Sequence, residues 1–460
     1  MSMSNIVSRG LSAVRNIISW GGKERAQLEA HDLDRIREQL RECAEVTGGE
    51  VSTRQRAARL AQTYLELDDD GRHAFLRMIA LEFGPDPSRV AEAHAEYQAQ
   101  IGTAAQWDAE ARLRVAMRSR RIRILTQFNA IPQGVKFLVN LRADLLRFLR
   151  DDTELKALDR ELEARLNAWF DVGFLELKRI TWESPAALLE RLVEYEAVHE
   201  IRSWKDLKNR LDDDRRCYAF FHPRMPLEPL IFVEVALVEA LADNVQKLLD
   251  EMAPVADQRK ASAAIFYSIS NTQAGLRGVS FGNFLLKRVV DDLKRDLPGL
   301  KTFATLSPIP RLRYWIRQNP EALREAFTDA DWKKLAAQGI DGPDGEAFAS
   351  LLDDTHQWAE QPALAQALSA PLTRLAARYL CHARHIDVPF DPVARFHLGN
   401  GARIERLNWM GDASAKGLAQ SFGMMVNYLY DPDTIEANVE AFASDGVVAA
   451  SGPIRKLAKP

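Results

Sequence analysis

Cysteine is scarce in this chain: Cys43, Cys217 and Cys381 are the only three in 460 residues, far apart and odd in number. That argues against a disulfide framework or a Cys-x-x-Cys metal site and for a reducing compartment, most simply the cytoplasm. No apolar run approaches the roughly 20 residues that a membrane-spanning helix needs, so no membrane partner is expected. Charge of one sign is missing too. Against 61 Lys and Arg stand 65 Asp and Glu, a net charge of −4, too small a bias to draw the chain to nucleic acid or an anionic surface. His382 and His385 lie close together, but no cysteine or acid pattern completes a zinc site, and no metal is expected.

A chain of this length exceeds one compact core, so two domains are the default. From about residue 28 to 168 the periodicity is helical, with breaks at Pro85-Asp86-Pro87 and Pro132-Gln133-Gly134. Phe137, Leu138, Leu141, Leu145, Phe148 and Leu149 form one apolar stripe, with Arg142, Asp144, Arg147 and Arg150 off it. Residues 1–168 therefore read as an all-α bundle. The arginines at 112, 114, 118, 120, 121 and 123 are flanked by acids and lack interleaved aromatics, which predicts a solvated helix face or subunit contact and not a nucleic-acid site. The basic stretch SRGLSAVRNIISWGGK near the start is read as a short amphipathic helix or tail, despite a superficial likeness to a transit peptide.

From residue 169 to 460 the character is α+β, with a mostly antiparallel sheet. Strands are expected at 175–182, 216–221, 230–237, 264–269 and 301–306, then around Phe396-His397 and 402–409. Residues 319–385, with Gly339, Gly342 and Gly345 between two segments, read as a helical insertion. A last helix is expected from near Asp433.

The most informative stretch is SISNTQAGLRGVSFGNFLLKRVV, residues 268–290. A strand enters a loop with glycines at 275, 278 and 282, and a helix follows with Leu286, Val289, Val290, Leu293 and Leu297 along one face. Strand, glycine loop and helix N-terminus together suit a phosphate or pyrophosphate. The spacing is neither Gly-x-Gly-x-x-Gly nor a P-loop. It resembles the pyrophosphate loop of GNAT-type acyl-CoA enzymes, which Gln273, Gly275, Arg277 and Gly278 approximate. Gly278-Val279-Ser280-Phe281-Gly282 also matches a hydrolase nucleophile elbow. An elbow, however, needs its strand to run directly into the serine, and here Ser270–Val279 intervenes.

Longer motifs add to this. YEAVHEIRSWKDLKNRL (195–211), the glycine-loop stretch, LSPIPRL (306–312), FHLGNGARIERLNWMGDAS (396–414), NYLY (427–430) and GVKFLVNLRADLL (134–146) together closely resemble the malonyl-CoA decarboxylase family. The resemblance implies an N-terminal helical domain and a GNAT-like α/β catalytic domain. It also implies a catalytic serine at Ser307, a catalytic histidine at His397 and a site tyrosine at Tyr430. The coenzyme A loop would comprise Gln273, Gly275, Arg277, Gly278, Val279, Ser280, Phe281, Gly282 and Asn283. Some relatives carry a glutamate where this chain has Ser280; Asp412 and Glu234 are the carboxylates considered in its place.

The implied reaction takes malonyl-CoA to acetyl-CoA and CO2. Decarboxylation leaves a carbanion beside a thioester, stabilised as its enolate, so the substrate supplies its own electron sink and no cofactor is expected. Ser307 would orient the malonyl carboxylate and accept a proton, and His397 would donate one to the enolate carbon. The alternatives are a GNAT-type acyl-CoA transferase and a non-catalytic coenzyme A-binding scaffold. Self-association as a dimer or tetramer through the helical half is also expected.

Overall fold

The computed structural model describes residues 30–45, 50–279, 285–340, 342, 358–386 and 388–459. They divide into two compact units. The N-terminal stretch before residue 30, the segment Ser280–Asn283 and Gly345 lie outside the described residues.

The first unit comprises the described residues of Met1–Leu175, His222–Pro226 and Gln273–Phe281. Its helices span Ala30–Glu45, Glu50–Glu66, Asp69–Glu82, Pro87–Gln100, Gln106–Ala116, Arg121–Ala130, Gly134–Phe148 and Lys156–Trp169. The expected breaks coincide with helix starts. The Asp86 carboxylate accepts from the Ser88 and Arg89 amides, with Pro87 in the first turn, the usual chemistry of a helix N-terminus.

Two arginines depart from their sequence reading. Arg121 belongs to no solvated face: it is buried and pairs with Glu161 at 2.8 Å. Arg142, read as lying off the apolar stripe, is also buried. Its guanidinium donates to Asp159 at 2.9 Å and to the carbonyls of Gly275 at 3.0 Å and Arg277 at 2.7 Å. One residue thus ties a helix of the bundle to two carbonyls of the glycine loop. Removing one partner of a buried ion pair typically costs about 3–5 kcal/mol. Arg142→Ala should therefore lower the urea unfolding free energy by roughly that amount, whereas the exposed Arg112, paired with Glu96, should tolerate the same change with a loss below about 1 kcal/mol.

The second unit holds Glu176–Phe221, Leu227–Thr272 and the described part of Gly282–Pro460. Its strands are β1 (Glu176–Ile180), β2 (Arg215–Phe221), β3 (Pro229–Val238), β4 (Ala263–Asn271), β5 (Thr302–Thr305), β6 (Ser307–Pro308), β7 (Arg384–His385), β8 (Val388–Pro389), β9 (Arg403–Asn408) and β10 (Met425–Leu429). The main sheet runs β1-β2-β3-β4-β5-β10-β6, with β9 also paired to β10. Neighbours are antiparallel except β4 and β5, which are parallel. A parallel pair requires a crossover, and the helix Leu285–Asp296 lies in it, burying Leu285, Leu286, Val289, Val290 and Leu293. The uninterrupted apolar run of β3 suits its place between β2 and β4, where it is buried almost throughout. The insertion is helical over Pro320–Ala326, Asp329–Ala336 and Pro362–His382.

One detail of the sheet positions the site. The β4–β5 pairing ends at Phe266 opposite Thr305, and the Leu306 amide makes a last bond to the Phe266 carbonyl at 3.0 Å. Beyond it Ser307 pairs with Val426 of β10. Pro308 has no N–H to continue a ladder, so the strand ends one residue past the serine.

Candidate active site

Three side chains far apart in sequence meet in the second unit. Ser307 comes from β6 and Tyr430 follows β10. His397 lies on the helix Pro392–Gly399, where the sequence reading had expected a strand. The overlooked signal is Asp391-Pro392: the aspartate accepts from the Val393 amide at 2.9 Å and the Ala394 amide at 3.1 Å, with proline in the first turn. Gly401 then turns the chain at φ +81°, where a Cβ would come within 2.4 Å of the Ile435 carbonyl oxygen. Only glycine fits there, which accounts for the second glycine of the FHLGNG motif.

The side chains form a continuous hydrogen-bonded row. Ser307 Oγ lies 3.1 Å from His397 Nε2, and His397 Nδ1 lies 2.7 Å from the Tyr430 hydroxyl. On its other side Ser307 Oγ is 2.8 Å from Thr305 Oγ1, which also accepts the Tyr428 amide at 3.1 Å. The imidazole stacks on the Tyr428 ring, with centroids 4.5 Å apart. All of these residues are buried, and Thr305 is completely so.

Burial decides the protonation states. Desolvation pushes the His397 pKa down from 6.5 to about 3, so the imidazole is neutral near pH 7. It also pushes the Tyr430 phenol well above its ordinary range. Neither carboxylate considered as a replacement for the loop glutamate touches the row. Glu234 pairs with Arg210 at 3.1 Å, and Asp412 accepts from Gln246 at 2.7 Å and the Ser414 amide at 3.0 Å. The partner of His397 Nδ1 is a phenol, not an acid.

Asn427, whose part the sequence reading missed, braces the row from behind. Its amide donates to the carbonyls of Thr305 at 2.7 Å and Ala242 at 3.0 Å, and its oxygen accepts from Asn408 at 2.8 Å and Arg406 at 3.1 Å. The Asn at the head of NYLY was the available signal for it.

The glycine-loop residues belong to the first unit as far as Val279. Gln273 is buried and accepts from Lys136 at 3.0 Å. A Cβ at Gly275 would sit 1.8 Å from the Val139 carbonyl oxygen, so this glycine permits contact with the backbone of the Gly134–Phe148 helix. Val279 is buried, whereas Arg277 and Gly278, the latter at φ +84°, are exposed. Ser280, Phe281, Gly282 and Asn283 fall outside the described residues.

Other histidines and a tryptophan pair have structural partners. His382 bonds the Ala458 carbonyl and His222 the Trp169 carbonyl, while Trp409 stacks on Trp358. His199 lies in a loop. Among the described residues no group of three or more His, Cys, Asp or Glu is arranged to hold a metal ion, and no helix is long and apolar enough to cross a membrane.

A buried, uncharged row of hydroxyl, imidazole and phenol has the donors and acceptors that a proton transfer needs. Residues 173–460 match the malonyl-CoA decarboxylase C-terminal domain, and residues 83–170 match the malonyl-CoA decarboxylase N-terminal domain. The mitochondrial malonyl-CoA decarboxylase of Rattus norvegicus is 40% identical over 402 residues, 84% of this chain and 81% of the relative. That of Anser anser anser is 38% identical over 415 residues, 86% and 82% of the two chains. The crystal structure of malonyl-CoA decarboxylase from Rhodopseudomonas palustris superimposes with a TM-score of 0.82 at 39% identity, covering 94% of this chain and 100% of that one. The Agrobacterium vitis enzyme gives 0.82 at 40% identity, covering 93% and 100%. The chain belongs to the malonyl-CoA decarboxylase family.

The lowered His397 pKa has a consequence for stability. The unfolded chain takes up a proton at this residue below about pH 6.5, whereas the folded chain resists until about pH 3. Stability from this group is therefore full above pH 6.5 and is lost as pH falls toward 3. His199, lowered by burial to about 4, acts in the same direction. Urea midpoints measured from pH 7 to 4.5 should fall with pH, and His397→Gln should flatten that slope without abolishing it.

Proposed function

We propose that this protein decarboxylates malonyl-CoA to acetyl-CoA and CO2, with Ser307 and His397 handling the proton. The observation that carries the reading is the contact between Ser307 Oγ and His397 Nε2, buried and backed by Tyr430, in a chain of this family. In the reaction the bond from the α-carbon to the carboxylate breaks, and its electron pair moves into the thioester carbonyl to give the enolate. One proton must then reach the carbon.

His397 is neutral in the free protein. The negative charge of the malonyl carboxylate favours the imidazolium, so substrate and a solvent proton enter together. Nε2 faces Ser307, so as the serine hydroxyl passes its proton to the carbon, its oxygen accepts one from Nε2. The imidazole returns to neutrality, and the sum is one proton consumed per CO2 released. Tyr430, hydrogen-bonded to Nδ1, holds the ring in place.

We assign the coenzyme A phosphates to the loop from Gln273 to Asn283. Gln273, Gly275 and Val279 hold it in place, and the exposed Arg277 and Gly278 are available to an anion. Residues 1–168 are assigned to self-association and residues 169–460 to the chemistry. The hairpin of helices Pro87–Gln100 and Gln106–Ala116 buries only Ala109 and exposes Trp107 and Val115, which supports an interface role. Sedimentation at micromolar concentration should give a species larger than the monomer.

Purified protein given malonyl-CoA without an acyl acceptor should release acetyl-CoA and CO2 in equal amounts, and EDTA should leave the rate unchanged. A requirement for an amine acceptor would point to acyl transfer instead. Proton delivery by a placed side chain is worth about 10²–10⁴-fold, so His397→Ala should lower kcat within that range. Ser307→Ala should also lower kcat, and the double variant should be little worse than the weaker single one, because the two residues act as a unit.

A further inference from the structure

We infer that Tyr428 is a positioning residue of the buried row, its ring face holding the His397 imidazole and stabilising the imidazolium that forms once substrate is bound. The inference rests on the Ser307–His397 reading above and extends it by one residue. That reading needs a cation for part of each turnover, in a place where burial keeps the resting imidazole neutral. The two ring nitrogens are taken by the hydroxyls of Ser307 and Tyr430, and no carboxylate among the described residues pairs with the ring. What remains is aromatic. Phe396 and Tyr430 meet the imidazole edge-on, at interplanar angles of 79° and 69°. Tyr428 alone of the three lies against it face to face, with planes 23° apart and centroids 4.5 Å apart. A cation over a tyrosine face within about 6 Å is attracted by the ring quadrupole, and most strongly where water is excluded.

The strand dictates this placement. Side chains two residues apart share one face of an extended chain, so the Tyr-x-Tyr spacing brings Tyr428 and Tyr430 to the same imidazole, one by its ring and the other by its hydroxyl. Tyr428 is completely buried, and its amide is held by Thr305 Oγ1 at 3.1 Å. Its own hydroxyl has no hydrogen-bond partner among the described residues. A buried hydroxyl without a partner costs stability, so what the residue contributes is its ring. The groups that act on Tyr428 by charge are Asp391, Tyr379, Tyr430 and Cys381. Of these the Asp391 carboxylate is engaged elsewhere, by the Tyr379 hydroxyl at 3.2 Å and by the Val393 and Ala394 amides. The neutral imidazole gains only packing from the tyrosine face. The imidazolium gains the quadrupole attraction as well, so the ring favours the form that can deliver a proton.

The test is the kcat–pH profile of Tyr428→Leu and Tyr428→Phe with malonyl-CoA, with thermal midpoints measured to verify folding. Leucine removes the face, so kcat near pH 8 should fall about 5- to 30-fold. Loss of support for the imidazolium lowers its pKa in the substrate complex. The alkaline fall in kcat should therefore move down by about 1 pH unit, and the deficit should shrink toward acid pH. Phenylalanine keeps the face and should bring kcat back to within about threefold. If the leucine variant does not fold, phenylalanines carrying one, two or three ring fluorines at position 428 replace it. Fluorine keeps the shape and draws electron density from the face, so kcat should fall stepwise along that series. In the His397→Ala background, where no imidazole remains to be supported, Tyr428→Leu should cost less than about twofold more. Wild-type kcat in Tyr428→Leu, or a loss equal at every pH and in both backgrounds, would overturn the inference. So would a flat fluorine series, or a phenylalanine variant as damaged as the leucine one. Undiminished turnover in His397→Ala would overturn the underlying reading and the Tyr428 role with it.

Discussion

The pairing of β10 along one edge with both β5 and β6 is the constraint from which the rest of the site follows. Leu429 opposite Ala304 and Val426 opposite Ser307 belong to one continuous antiparallel register. Between them the ladder is carried partly by side chains: the Tyr428 amide bonds Thr305 Oγ1 and the Thr305 carbonyl takes the Asn427 side chain. That exchange coincides with the irregularity in the β9–β10 pairing between Asn427 and Tyr428. A one-residue slip would reverse every side chain of the strand, separating Ser307 from Thr305 and Tyr430 from the imidazole. Side chains fastened into the backbone ladder make such a slip costly.

Burial supplies the second condition. A charged imidazole held in a low-dielectric site with no paired acid would be expensive, so the resting row is neutral throughout. Neutrality does not make it inert. The row contains donors and acceptors in series, and in the proposed reaction an arriving negative charge shifts the imidazole toward the form able to give up a proton. A carboxylate on Nδ1 would have raised the resting pKa and weakened that dependence on substrate. The phenol of Tyr430 orients the ring without doing so.

Much of this was legible in the sequence wherever the signal was local. The apolar run of β3, the amphipathic helix Leu285–Asp296 and the breaks at Pro85-Asp86-Pro87 all stand in the structure as composition and periodicity indicate. Ser307, His397 and Tyr430 were nameable through long motifs, but nothing local places a residue at 307 against one at 397. Their meeting depends on the parting of β4 from β5 and on a helix whose start the Asp391-Pro392 cap announces. The place of Thr305 is hidden in sequence because TFAT is ordinary strand composition, and its contact with the Tyr428 amide exists only in the register with β10. Arg142 escaped because an arginine off an apolar stripe normally faces water, and its buried partners are carbonyls that no sequence pattern displays.

The two halves of the proposed activity make opposite physical demands. A row that must stay neutral until substrate arrives has to be stripped of water and of fixed charge, and a site of that kind is a poor place to hold phosphates. Phosphates need fixed cations and backbone donors that remain accessible, which describes the exposed Arg277 and Gly278 and not the buried Ser307 or His397. The turn that carries them is anchored by its buried residues and also needs a donor for its carbonyls. Arg142 is that donor, bonding the Gly275 and Arg277 carbonyls while Asp159 balances its charge. With those carbonyls taken by the guanidinium, the exposed Arg277 side chain is the cation that the turn offers to an anion.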